Sequence, residues 1–276
     1  MDYLAFHFKI TPFFPHAEIL IQNLADIGFD AFEENPEGFV GYVPKNQFQE
    51  EPFKALLDTE AFAHQYRMEE IPATNWNAVW ESSFEPIVVA DTLCIHAPFH
   101  ENTKQYPLQV CIQPKMSFGT GHHATTYLMA EQMLKENFLA KKVLDMGSGT
   151  GILSILAEKL GAKMVLGIDI EPWAYENALE NKEANATERT HFLLGDASCI
   201  PQTETYDFVL ANINRNILLQ DMAHYVQALA NKGKLLLSGF LAADIELLDT
   251  EAKRLGLKPV CINSRAEWRQ LTFEKE

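Results

Sequence analysis

Three glycines stand at alternate positions, Gly147, Gly149 and Gly151, directly after an apolar run that leads into Asp145. A glycine-rich turn between a strand and a helix lets a ligand lie against bare backbone, where N–H groups at the helix start can donate. The spacing differs from the Gly-x-Gly-x-x-Gly of dinucleotide sites. A carboxylate at Asp145 would repel a pyrophosphate but could pair with the ammonium of a methionine moiety. The pattern therefore favours S-adenosylmethionine as ligand, with NAD as the alternative.

Two more carboxylates follow the next two predicted strands. Asp169 comes about 20 residues after the glycine loop, where an acid accepts hydrogen bonds from the ribose hydroxyls that both nucleotides share. It could instead cap the helix that starts at Pro172. Asp196 follows the third strand and could bind an adenine amino group or serve as a turn residue.

Asn212 ends the fourth predicted strand, beside the point where ligands bind in open α/β sheets. Its amide oxygen could accept a hydrogen bond from a substrate amine while the nitrogen lone pair stays aimed at a methyl donor. The Asn/Asp-Pro-Pro-Tyr/Phe motif of many amine methyltransferases is absent here. Asn212 is thus our candidate for orienting the nucleophile, and a turn-forming asparagine is the alternative.

A second glycine-containing loop runs from Phe118 to Thr126 and precedes a predicted helix. Thr125 or Thr126 could cap that helix or donate a hydroxyl to a carboxylate. The adjacent His122 and His123 invite comparison with a metal site. Neighbouring residues point apart, however, and no cysteine or carboxylate lies at metal-ligand spacing, so we predict no metal.

Regular alternation of helices and strands from Thr125 onward predicts a doubly wound, mostly parallel sheet, since parallel strands need helical crossovers. The last two strands have only a short link between them and should pair antiparallel, an ending that resembles methyltransferase sheets. The predicted strands are 143–146, 165–170, 191–195, 208–212, 235–238, 259–262 and 268–273.

The first 72 residues predict a separate small unit. Alternating apolar residues from Tyr3, a helical stripe closed by Gly28, and a turn at Asn35–Gly38 between two apolar runs give the order β-α-β-β-α-β of a ferredoxin-like domain. Such modules often bind rather than catalyse. An aromatic stripe at four-residue spacing, Trp76, Trp80 and Phe84, predicts a linker helix over 73–86. The catalytic domain would then span 87–276.

Composition sets limits on partners and location. The 38 acidic residues outnumber the 22 basic ones, for a net charge of −16, which disfavours nucleic acid and suits a basic protein substrate, although acidity also serves solubility alone. The four cysteines are widely separated in the sequence, and we predict that they are reduced thiols. The first nine residues lack a signal-peptide pattern, and no long apolar run occurs, so we expect a cytoplasmic protein without membrane contact.

Several motifs together resemble those of the bacterial ribosomal protein L11 methyltransferases, the PrmA family. The Phe118 to Thr126 loop is more specific for this family than the glycine loop is. The resembling segments are Trp76 to Pro86, Phe118 to Thr126, Asp145 to Leu153, Gly167 to Ile170, Ala211 to Ile213, Ser238 to Leu241, and Glu267 to Trp268.

The resemblance implies a small N-terminal domain that grips ribosomal protein L11, a flexible linker, and a class I domain that methylates lysine and N-terminal amines, releasing S-adenosylhomocysteine. Motif matching places donor contacts on Thr126, Gly147, Asp169 and Asn212, and we add Phe118 to the expected donor-binding residues. The resemblance does not fix the oligomeric state, for which we expect a monomer.

The chain departs from the family pattern beside these motifs. His122 and Ala124 replace threonine and proline on either side of the loop histidine, and Ser148 and Thr150 replace cysteine and serine in the glycine loop. Asn214 stands where leucine is common. These changes bear on substrate geometry more than on donor binding.

Overall fold

A computed structural model of the chain describes residues 2–60, 63–71, 84–101, 103, 105–115 and 117–276. The chain forms two compact units, Met1–Ser83 and Phe84–Glu276. Of the linker helix expected over 73–86, residues 73–83 lie outside the described residues, so that part stays a prediction, while residues 84–86 belong to no helix. Within the ranges given, no helix is long and apolar enough to cross a membrane.

The N-terminal unit has the predicted order of elements. Leu4, Phe6 and Phe8 alternate along the first strand, so one face of the sheet is apolar and buries against both helices. The four strands pair antiparallel in the order β2-β3-β1-β4, which is the ferredoxin-like arrangement. The elements are β1 (Tyr3–Thr11), α1 (His16–Asp26), β2 (Ala31–Asn35), β3 (Gly38–Pro44), α2 (Glu50–Thr59) and β4 (Ala63–Ile71).

The C-terminal unit opens with a small three-stranded sheet, β5 (Ile87–Val89), β6 (Leu93–His96) and β7 (Leu108–Cys111). The sequence did not predict β6. Tight hairpins are usually marked by Asn-Gly or Asp-Gly. Here Ala90 and Asp91 take the positive φ values of 49° and 50°, so the usual mark is missing.

Alternating helices and strands build the rest of this unit. The pattern predicted from Thr125 onward is confirmed, with strand ends that differ by a few residues, most of all for β12. The elements are α3 (Ala124–Met133), β8 (Lys142–Met146), α4 (Ile152–Lys159), β9 (Met164–Asp169), α5 (Pro172–Ala184), β10 (Thr190–Leu194), β11 (Tyr206–Asn212), α6 (Arg215–Ala228), β12 (Leu229–Leu241), α7 (Ile245–Arg254), β13 (Leu257–Arg265) and β14 (Trp268–Lys275).

Seven strands form the central sheet in the order β10-β9-β8-β11-β12-β14-β13. The pairs from β10 to β12 are parallel; β14 pairs antiparallel with β13, as predicted, and also with β12. Strands β9 and β10 lie on one side of β8, and β11 and β12 lie on the other, so the order in which strands are added changes side between β8 and β11. A crevice therefore opens at the carboxyl ends of these two strands, where open α/β sheets bind ligands.

Candidate functional site

A cavity of about 680 Å³ lies at this edge of the sheet. Its volume is in the range of small-molecule sites. Phe118, Gly147, Gly149, Asp169, Asp196 and Asn212 line it, so the fold gathers most of the predicted site residues around one space. Thr126, Asp145 and Gly151 were also predicted and are not among the lining residues.

The two glycine-containing loops are locked together at Gly149. This residue has a φ of +54°, and a Cβ built on it would lie 2.3 Å from the carbonyl oxygen of Phe118. That same carbonyl accepts a hydrogen bond of 2.9 Å from the backbone N–H of Thr150, whose hydroxyl donates to the Gly119 carbonyl at 2.7 Å. Glycine is thus required at 149 by backbone conformation and by close approach of a second loop.

Asp169 braces the glycine loop and also faces the cavity. Its Oδ2 accepts a hydrogen bond of 2.7 Å from the Gly149 N–H, and its Oδ1 accepts one of 3.0 Å from the Glu171 N–H. The N-cap of α5 is Glu171, so the alternative that Asp169 caps this helix is wrong. Each carboxylate oxygen keeps further acceptor capacity, which leaves Asp169 able to bind ribose hydroxyls.

Asp145 lies inside the protein beneath the glycine loop. It is 1% exposed, and its Oδ2 accepts a hydrogen bond of 2.6 Å from the Ser154 hydroxyl. Burial raises the pKa of Asp145 to about 7; the Ser154 bond opposes this rise and the nearby Asp169 carboxylate adds to it. The expected contact with a methionine ammonium stays a prediction; Oδ2 is bonded to Ser154, and Asp145 is not among the residues that line the cavity.

Replacing Asp145 with asparagine should stabilise the protein at alkaline pH. The raised folded-state pKa means that Asp145 favours folding below its unfolded pKa near 3.9, and that this contribution is lost as pH rises through about 7. Thermal melts from about pH 4 to pH 8 should show the Asp145→Asn variant melting higher than wild type only toward the alkaline end. Equal shifts at every pH would contradict the assignment.

Asn212 presents an unused acceptor at the cavity wall. The residue is 9% exposed, and its Nδ2 donates a hydrogen bond of 3.4 Å to the hydroxyl oxygen of Thr126 on α3. Its Oδ1 is buried and has no hydrogen-bond partner among the described residues. A buried acceptor without a partner costs about 1–3 kcal/mol, so a donor group on a ligand would relieve that cost. Thr126 therefore reaches the site through Asn212.

An aromatic wall lines the same cavity as Asn212, and site prediction from sequence missed most of it. His123 lies between Phe118 and Trp268, at ring-centroid distances of 5.2 Å and 4.7 Å. All three residues line the cavity. Trp268 begins β14 and reaches the site only because β14 returns antiparallel beside β12, a placement that pattern alone did not supply.

His123 also starts helix α3. Its Nδ1 accepts a hydrogen bond of 3.3 Å from the Thr125 N–H, so the cap expected from Thr125 or Thr126 comes from the histidine instead. The other histidine of the pair, His122, contacts the Glu85 carbonyl oxygen at 3.0 Å through Nε2. Over the described parts of the chain, no three His, Cys, Asp or Glu side chains are grouped as metal ligands would be.

Asp196 both lines the cavity and shapes a turn. It caps the short 3-10 turn Ala197–Cys199, and its Oδ1 accepts hydrogen bonds from the Ser198 N–H at 2.9 Å and the Ser198 hydroxyl at 2.6 Å. These bonds hold the pKa of Asp196 below its usual value. The two roles left open by the sequence are compatible, and the adenine contact stays a prediction.

Asn214, one of the departures from the family pattern, also lines the cavity. It is the N-cap of α6, where its side chain accepts a hydrogen bond of 3.2 Å from the Ile217 N–H. The substitution for leucine therefore gives the helix a side-chain cap and makes the cavity rim more polar.

Comparison with known proteins gives concordant matches. Residues 35–276 match the family described as Ribosomal protein L11 methyltransferase (PrmA). Proteins of that name from Porphyromonas gingivalis and Bacteroides fragilis are 41% and 37% identical, covering 99% of this chain and 98% and 99% of their own lengths. A crystal structure of the ribosomal protein L11 methylase from Lactobacillus delbrueckii subsp. bulgaricus superposes with a TM-score of 0.64. It is 23% identical and covers 70% of this chain and all of that one, and it supports the fold.

Proposed function

The chain belongs to the ribosomal protein L11 methyltransferase family, and on that premise we propose that it transfers methyl groups from S-adenosylmethionine to lysine and N-terminal amines of ribosomal protein L11. The observation that carries the chemistry is the Oδ1 of Asn212 on the cavity wall, which has no hydrogen-bond partner among the residues that the structure describes. An amine entering the cavity can donate an N–H to this oxygen and direct its lone pair away from it.

The cavity fits S-adenosylmethionine in size and in its polar groups. Asp169 would hold the ribose hydroxyls, and the backbone of Gly147 and Gly149 would lie along the donor. When bound, the donor supplies an electrophilic methyl group on a sulfonium. The residues of the chain align the nucleophile and exclude water, which raises the rate without a covalent intermediate.

The substrate amine must lose a proton before it can attack. An unperturbed lysine has a pKa near 10.4, and a partly dry cavity disfavours the charged ammonium form. The aromatic wall of Phe118, His123 and Trp268 provides such a low-polarity surface in the cavity that Asn212 also lines. We assign no general base, because desolvation and the neighbouring positive sulfonium both favour the neutral amine.

We assign substrate recognition to the N-terminal unit, residues 1–72 in the sequence prediction. Its ferredoxin-like sheet is a common binding module, and the net charge of −16 suits a basic ribosomal protein. The proposal includes a monomeric enzyme that works in the cytoplasm, where a ribosomal protein substrate is made, and that makes no direct contact with nucleic acid.

Transfer of labelled methyl groups to purified ribosomal protein L11, read by mass spectrometry, tests this function. We expect added mass on lysine side chains or the N-terminal amine. Labelling of other proteins but not L11 would make the substrate assignment wrong. A rise in melting temperature with S-adenosylmethionine and none with NAD is also expected, and no rise with either would contradict the donor assignment.

Replacing Asp169 with alanine should weaken binding of S-adenosylmethionine at least tenfold. The variant loses the acceptor for the ribose hydroxyls and the brace on the Gly149 N–H, and hydrogen bonds to a charged group contribute about 1.5–3 kcal/mol each. Isothermal titration of both proteins measures the effect. Asp249→Ala, which removes a surface carboxylate paired with Lys253, is the control. Binding to Asp169→Ala within twofold of wild type would rule out the ribose role.

A further inference from the structure

One wall of the cavity carries polar side chains that the proposed reaction does not use. They include Asp221 and Tyr225 of helix α6, which line the cavity together with the apolar Ile217 at four-residue spacing. The turn Ala197–Cys199, which Asp196 caps, packs against the same helix. Asp196 and Asp221 therefore belong to one region of the site.

Tyr225 points to a ligand at this wall. It is fully buried, and its Oη makes no hydrogen bond of good geometry in the described part of the chain, although the Asp221 carboxylate lies close to it. Burial first, then the charge of the Asp221 carboxylate and its hydrogen-bond interaction with the phenol, raise the pKa of Tyr225, so the phenol keeps its proton and is a donor next to Asp221. A buried donor without a partner is costly unless a ligand supplies the acceptor.

Asp221 and Tyr225 together offer one hydrogen-bond acceptor, the carboxylate, beside one donor, the phenol. Adenine has the matching edge, because its exocyclic amine donates and its neighbouring ring nitrogen accepts, whereas a 6-oxo purine reverses both. Asp196 Oδ1 is already bonded to Ser198, and an amino group has two N–H donors, so both aspartates can accept from it. Building on the proposed function, we propose that Asp221 and Tyr225 bind this edge of the donor's adenine and select it against 6-oxo purines.

Calorimetric titration with S-adenosylhomocysteine and its deaminated analogue S-inosylhomocysteine tests the proposal. Wild type should prefer the adenine compound by at least about 100-fold, since a site built to bind an N–H rejects analogues that lack it. Asp221→Asn should reduce this preference at least about tenfold, because an amide can also donate to the 6-oxo group. Tyr225→Phe should weaken S-adenosylhomocysteine about fivefold.

Tyr206→Phe is the matched control. Tyr206 is equally buried and its Oη equally lacks a partner among the described residues, but it does not line the cavity. The control should bind S-adenosylhomocysteine within twofold of wild type. For any one variant, the ratio of its affinities for S-adenosylhomocysteine and S-inosylhomocysteine is independent of the folded fraction. A destabilised variant therefore still gives a valid measure of the preference for adenine.

The outcomes separate this inference from the proposed function. No binding of S-adenosylhomocysteine to wild type would overturn the function itself. If wild type binds, a preference in Asp221→Asn within twofold of wild type overturns the assignment of Asp221. A Tyr225→Phe affinity equal to that of Tyr206→Phe overturns the assignment of Tyr225.

Discussion

Asn212→Ala should lower kcat for methyl transfer by about 100-fold while leaving the fold intact. The variant loses the acceptor that would orient the substrate amine, and a misplaced nucleophile commonly costs about two orders of magnitude. At about 1.36 kcal/mol per tenfold, this is about 2.7 kcal/mol of barrier. The Nδ2 bond to Thr126 is long at 3.4 Å, so its loss should cost little stability. Single-turnover rates at saturating donor measure the effect.

A second buried asparagine provides the control for Asn212. Asn177 is 1% exposed, its Nδ2 donates to the Gln113 carbonyl oxygen, and its Oδ1 also lacks a partner among the described residues. It does not line the cavity. Asn177→Ala should change melting temperature about as much as Asn212→Ala but leave kcat within twofold of wild type. Equal loss of activity in both variants would mean that Asn212 acts through folding alone.

The sequence predicted the sheet because each strand has a local signal. Runs such as Val143–Met146 and Phe208–Asn212 are apolar, and the helices between them dictate parallel pairing. Strand β6 was missed although Leu93–Ile95 is apolar, because its hairpin turn uses Ala90 and Asp91 instead of the glycine that usually marks a tight hairpin. The antiparallel pairing of β13 with β14 was also foreseen, from the short link that precedes Trp268, whereas the pairing of β14 with β12 was not.

Site residues were predictable where they follow a strand end and less so where they depend on tertiary contact. Asp169 and Asn212 end predicted strands, so parallel pairing alone brings them to one edge. Tyr225 lies deep in a helix, and its place at the cavity depends on how α6 packs against the sheet. Asp145 lies near the end of β8 and was predicted as a site residue in the same way, but its burial and its bond to Ser154 depend on packing that the sequence does not show.

Gly149→Ala should weaken binding of S-adenosylmethionine by more than about 100-fold, the largest loss that we expect for any donor-binding residue. Alanine at 149 meets two separate penalties. A left-handed φ costs a non-glycine residue about 1–2 kcal/mol, and the new Cβ would lie 2.3 Å from the Phe118 carbonyl oxygen, a contact that only movement of one loop can relieve. Such movement breaks the Thr150 bond to Phe118 and shifts the Gly149 N–H from Asp169, so both loops lose their alignment with the cavity.

Gly256→Ala separates those two penalties. Gly256 has a φ of +84°, and a Cβ built on it would meet nothing within 4 Å, so the variant carries the backbone strain without the clash. Both variants should lose stability, but Gly256→Ala should bind S-adenosylmethionine within twofold of wild type by calorimetry. If Gly149→Ala also kept its affinity, the donor would not depend on the close approach of the two loops, and the Phe118 to Thr126 segment would lose its place in the donor site. A loss of affinity confined to Gly149→Ala would instead show that the contact between the loops holds the cavity in its binding shape.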